Sequence, residues 1–314
     1  MVQTGLPFDD IRALAADLPQ ADEDAATHTK NQLADETGIY ADLCIWYSRW
    51  SGRSPAIHRP LITLFAGTHA VENSLDGGEH SAWVLDEVTS IASGESPVNR
   101  ICSMQDVGLK VFDLALQIPV EDITDEAAFD ERSCAGTIAF GMEAIAGGTD
   151  LLCLSTISKG PTTSCLAMLS LVCGGCGEEW KQVTSSEQLE AICKAVKTHK
   201  AHQSDPLEIL RRVGGRETAA LCGAILSARS QHVPVLLDGW DALAAASILY
   251  KLNSGATDHC RFGQSGFTDL GNEALQRMGQ VSLVHSRLSD NSAHAIPMAA
   301  GMMKAACSIV QSQS

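Results

Sequence analysis

The chain has 314 residues, 45% of them hydrophobic, and a formal charge of -16 from Asp+Glu 38 against Lys+Arg 22. That length exceeds a typical single domain but suits one large α/β unit with a smaller attached piece, and the apolar content can bury a substantial core. The acidic balance argues against a nucleic-acid ligand, which needs clustered Lys and Arg to displace counterions, and serves solubility instead.

Taken in chain order, residues 8 to 50 read as helical, with Ala21-Asp22-Glu23-Asp24 as solvated surface. Arg59-Pro60-Leu61-Ile62-Thr63-Leu64-Phe65-Ala66-Gly67 is an apolar run closed by glycine, which suits a central parallel strand. Asp76-Gly77-Gly78-Glu79 reads as an exposed turn. The strand rhythm returns at Leu109 to Asp113, at Asp150 to Leu154 and at Val233 to Leu237, with helical text between. After Asp290 an Ala- and Met-rich helix runs through Val310. This alternation predicts an α/β fold, a doubly wound and mostly parallel sheet. Residues 1-314 are expected to form a single unit, with 56-291 as the α/β core and 1-55 plus 292-314 as a helical subdomain.

Eleven cysteines occur without a leader-like segment, and no apolar run approaches the roughly 20 residues needed to span a bilayer. A reducing, cytoplasmic setting is expected, with no membrane partner. Cys173-Gly174-Gly175-Cys176 has metal-ligand spacing, but no second pair follows, so the two thiols read as packed groups beside a glycine turn.

Three stretches carry chemistry. Ser158-Lys159-Gly160-Pro161-Thr162-Thr163-Ser164 follows a strand and opens the apolar helix Cys165 to Val172. Free amides and hydroxyls at such a helix start, with the positive end of the dipole, suit a phosphate, although Thr162 and Thr163 equally suit a plain cap. Asp205-Pro206-Leu207-Glu208, then Val213-Gly214-Gly215-Arg216-Glu217, then Val233 to Trp240, reads as helix, paired-glycine break, helix and buried strand. That strand puts Asp238 and Gly239 at its carboxyl end, where open α/β sheets bind ligands. Phe65-Ala66-Gly67-Thr68-His69-Ala70-Val71 places a histidine at another strand end.

These words, in this order, resemble the cobalamin-pathway family of nicotinate-nucleotide:dimethylbenzimidazole phosphoribosyltransferases, from about Gly38 to Met303. The resemblance implies that Gly160, Thr162 and Thr163 belong to the base and nucleotide pockets, and that Gly175 and Gly177 match a Gly-Thr-Gly loop bordering the nucleotide. It implies that His69 is pocket wall. It also implies that Asp290, in Ser286-Arg287-Leu288-Ser289-Asp290-Asn291-Ser292-Ala293, stands for the family's glutamate general base. Asp290 is also a candidate N-cap for the last helix.

The sequence departs from the family at Thr68 and Ala70, at Ser155, Thr156, Ile157 and Pro161, at Gln188 in place of lysine, and at Arg261 and Gly263 in place of serine and glutamate. Arg261 is expected to restore the phosphate-binding cation lost at Gln188. The implied reaction is phosphoribosyl transfer from nicotinate mononucleotide to 5,6-dimethylbenzimidazole or a related base, without metal or redox cofactor. The implied assembly is a homodimer, with a heterodimer of homologues as the other possibility. A catalytically weakened paralogue, binding a nucleotide or base or supporting an active homologue, is the alternative. Transfer to another acceptor, such as a phenol or purine, is a third reading.

Overall fold

The computed structural model describes residues 5–33, 38–265, 267–286 and 292–311. Six strands, β1 (Pro60–Ala66), β2 (Gly108–Asp113), β3 (Leu151–Thr156), β4 (Val235–Leu237), β5 (Cys260–Gln264) and β6 (Ser282–Val284), form one sheet in the order β2-β1-β3-β4-β5-β6. All five pairings are parallel. β5 and β6 lie beyond the four strands expected from sequence, because Arg261 and Gly263 interrupt the apolar run of one and the other is only three residues long.

Parallel strands need both faces covered, and the alternation of side chains sends each strand into two cores. Phe65, Leu152, Leu154, Leu237 and Phe262 face one core. Its helices include Glu131–Gly141, Thr163–Cys173, Arg216–Ser230 and Trp240–Leu252. Ile62, Leu64, Cys153 and Leu236 face the other, which is closed by Ile39–Ser51, Pro97–Gln105 and Ser292–Gln311. Ile296, Ala299, Ala300 and Met303 of that last helix are fully buried in the same core as the strands. Of the terminal segments, Ile39–Ser51 and Ser292–Gln311 thus help cover this face, while Phe8, Ile11 and Ala15 of the helix Pro7–Ala16 pack into the first core.

On the first face, Glu131–Gly141 and Arg216–Ser230 approach closely because glycine stands at the crossing. A Cβ on Gly223 would lie 1.8 Å from the Ile138 carbonyl oxygen, and one on Gly141 2.0 Å from that of Ala220.

β1 is followed by β2 on one side and β3 on its other side, so the winding direction reverses between β1 and β3. Ligands of doubly wound sheets bind outside the strand carboxyl ends at such a reversal. Among the described residues, no helix is long and apolar enough to cross a membrane.

Candidate functional site at the strand carboxyl ends

The chain leaving β1 carries His69, whose loop is tied to the segment after β2 by the Thr68 hydroxyl on the Leu116 carbonyl (2.9 Å) and the Ala70 amide on the Val120 carbonyl (2.9 Å). His69 is buried, with Nε2 3.0 Å from Glu217 Oε1 and Nδ1 2.9 Å from the Ser164 hydroxyl. Burial alone would depress the imidazole, but the Glu217 carboxylate reverses this and raises it to about 9. Glu217 is buried too; His69 holds it below the ordinary carboxylate range against the opposing effect of burial. The pair is therefore imidazolium and carboxylate, and both ring nitrogens donate.

Two glycines make room for it. A Cβ on Gly67 would lie 1.8 Å from Glu217 Oε2, and one on Gly215 would lie 1.9 Å from Oε1. The paired-glycine break read from the sequence thus lets a carboxylate reach the end of β1.

From β3 the chain runs through Gly160, at φ +79, to Thr162, which caps the helix Thr163–Cys173 by accepting from the Cys165 amide at 3.1 Å. The Thr162 hydroxyl donates to Asp241 Oδ1 at 3.2 Å, and Thr156 donates to Asp241 Oδ2 at 2.9 Å. The Thr163 amide donates to Glu72 Oε1 at 2.5 Å, and the Thr163 hydroxyl is buried with no partner among the described residues. Gln188 reaches the same loop, donating to the Pro161 carbonyl at 3.1 Å. The helix start therefore has the donors of an anion site, and the protein's own carboxylates occupy them. Burial, reinforced by Glu217, pushes Asp241 up to about 6.

At the end of β4, Asp238 is fully buried; Oδ2 accepts from Gln264 at 3.3 Å, and Oδ1 has no partner among the described residues. Burial pushes this carboxyl up to about 8. Gly239, at φ 92, opens the helix Trp240–Leu252 that carries Asp241. The ends of β1, β3 and β4 thus carry His69, Gly160, Thr162, Thr163, Asp238 and Gly239 around the reversal point.

The other expected residues lie differently. Gly175 and Gly177 form a turn closed on Glu179, whose carboxylate accepts from the Gly177 amide (3.0 Å), the Cys176 amide (3.3 Å) and the Ser170 hydroxyl (2.7 Å). Arg261 does not join the cradle. It is the second residue of β5, on the face where its guanidinium lies 5.8 Å from the Trp46 ring centroid. Its place near the amino end of β5 sets it apart from the strand carboxyl ends, where the cradle lies. Asp290 lies outside the described residues.

Sequence reasoning missed Glu72, Ser164 and Asp241, and read Glu217 only as part of a helix break. The available signal was their adjacency to motif residues, three positions after His69 and Asp238 and one after Thr163.

A doubly wound sheet with an anion-cradle helix at its reversal point is the architecture of a nucleotide-handling enzyme. A phosphoribosyltransferase family model matches residues 17–314, and the chain belongs to that family. A nicotinate-nucleotide–dimethylbenzimidazole phosphoribosyltransferase of Agrobacterium fabrum is 44% identical over 98% of this chain and 93% of its own length. The Rhizobium meliloti protein of that name is 43% identical over 98% of this chain and 94% of its own. A crystal structure of the Thermus thermophilus protein of that name superposes with a TM-score of 0.80 at 20% identity, covering 92% of this chain and 96% of the other, which supports the fold.

Proposed function

We propose that this chain transfers the 5-phosphoribosyl group of nicotinate mononucleotide to 5,6-dimethylbenzimidazole or a related base, forming α-ribazole 5'-phosphate and nicotinate in cobalamin biosynthesis. The observation that carries this reading is the near-full-length likeness to a relative of that name, 44% identical over 98% of this chain. The cluster at the reversal point supports it.

In this reaction the lone pair of an azole nitrogen attacks the ribose anomeric carbon. The bond to the pyridinium nitrogen breaks, its electrons neutralise the ring, and nicotinate leaves. A pyridinium is already a good leaving group, so the protein mainly aligns the partners, holds the phosphate and removes one proton. Gly160, Thr162 and Thr163 are assigned to the phosphate, which has to displace Glu72 from the Thr163 amide. Asp238, its carboxyl pushed up to about 8, is a hydrogen-bond donor to substrate at neutral pH, beside Gly239. His69 is pocket wall, locked by Glu217 and Ser164. Gly175 and Gly177 border the nucleotide, and Asp290 takes the azole proton.

We assign the working form to a homodimer in a reducing cytoplasm, in keeping with eleven free thiols. Sedimentation of the purified chain at twice the monomer mass is the expected result. The catalytic reading is tested by incubating that chain with nicotinate mononucleotide and dimethylbenzimidazole, then separating products by chromatography. Nicotinate and α-ribazole phosphate are expected in equal amounts. A folded chain that releases neither overturns the reading, and release only after adding a homologous chain would mark a supporting subunit instead.

A further inference from the structure

Arg261 sits at the amino end of β5, whereas the cluster described above borders the carboxyl ends, and it opens onto a separate cleft of ≈ 390 Å³. Arg261, Arg49 and Lys30 line this cleft together with Trp46, Leu43 and Leu283. Trp46 is 2% exposed, and its indole Nε1 has no hydrogen-bond partner among the described residues. Arg49 Nε is likewise buried without one, while the far side of that guanidinium bonds Glu23 at 3.2 Å. Asp42 also borders the cleft, but it is exposed and leaves three cations against one acid there.

Buried donors are normally satisfied, and two orphaned donors on residues that line the cleft, with the Arg261 guanidinium over the indole, suit an acceptor-only group. In a chain of net charge -16, a local gathering of cations over an indole and two leucines selects for both charge and a flat apolar body.

We infer that this cleft is a second ligand site, taking an aromatic ring that bears a carboxylate or a phosphate monoester. The ring lies along Trp46, Leu43 and Leu283, and the anion accepts from Arg261, Arg49 Nε and the Trp46 N–H. The site is independent of the catalytic reading.

Calorimetric titration of the full chain with phenyl phosphate, benzoate, inorganic phosphate and neutral benzamide tests it. Phenyl phosphate or benzoate is expected to bind, and to weaken by about tenfold or more in Arg261→Met and in Trp46→Phe. Benzamide and inorganic phosphate are expected to bind far more weakly to the unaltered chain. Arg261→Met keeps an unbranched apolar stem against the indole, and Arg261→Lys, which retains charge without the fork, is expected to fall between the two. No binding by the unaltered chain, or equal affinity in Arg261→Met, overturns the site. Binding that is lost in Thr162→Ala but kept in Arg261→Met belongs to the strand-end cluster and also overturns it. Inorganic phosphate binding as tightly as phenyl phosphate overturns the aromatic assignment.

Discussion

At the scale of single residues, the site is governed by one buried ion pair and two carboxyls that burial pushes toward the neutral form. His69 and Glu217 stabilise each other only as a pair, since removing one leaves the other charged in a water-free place. His69→Ala is therefore expected to cost about 3–5 kcal/mol, read from urea unfolding. A second consequence is a pH dependence of stability. The imidazole is raised from 6.5 to about 9, so its contribution is complete below 6.5 and is lost as pH rises through about 9. Asp238 is raised from 3.8 to about 8, so the fold binds a proton that the unfolded chain releases, and stability falls across that interval. Between about pH 6.5 and 9 the melting temperature is expected to fall, as both shifts require, whereas below 6.5 the buried His259, held down to about 3, contributes in the opposite sense. In Asp238→Asn the decline below pH 8 should flatten while the His69 part persists; an unchanged profile would refute a neutral Asp238.

At the scale of elements, the helix Thr163–Cys173 was legible in sequence, because an apolar run follows Gly-Pro-Thr-Thr and proline and threonine belong at a helix start. The occupants of that start were not legible. Glu72 comes from 91 positions upstream and Asp241 from 79 downstream of the residues they bind, and only the winding of the sheet joins them. Because Glu72 occupies the amide assigned to the phosphate, Glu72→Gln is expected to lower the KM for nicotinate mononucleotide severalfold with a smaller change in kcat. Steady-state kinetics at low and high salt would check this, the difference narrowing as salt screens the repelled charge. Glycine acts on the same scale where two helices cross. Gly223→Ala would drive a methyl group against the Ile138 carbonyl and is expected to cost at least about 1–3 kcal/mol in denaturant unfolding.

At the scale of the whole molecule, the chain ends are part of the sheet's cover. Ile296, Ala299 and Met303 are buried in one core with Ile62, Leu64 and Cys153. A chain truncated before Ser292 is expected to lose its cooperative melting transition and to bind a hydrophobic dye, since it uncovers one face of a parallel sheet. Retention of a sharp transition would show that the terminal helices form a separable subdomain.

The sequence by itself determined the α/β class, four of the six strands, the helix behind the threonines and the family, because strand runs, glycine breaks and caps are encoded within a few neighbouring residues. Only the tertiary structure decided that Glu217 faces His69, that Glu72 and Asp241 fill the helix start, and that Arg261 turns to Trp46. Those outcomes depend on which strand neighbours which and on which face each side chain takes. Strand order and pleat bring together groups far apart in the chain, and no local pattern records that meeting.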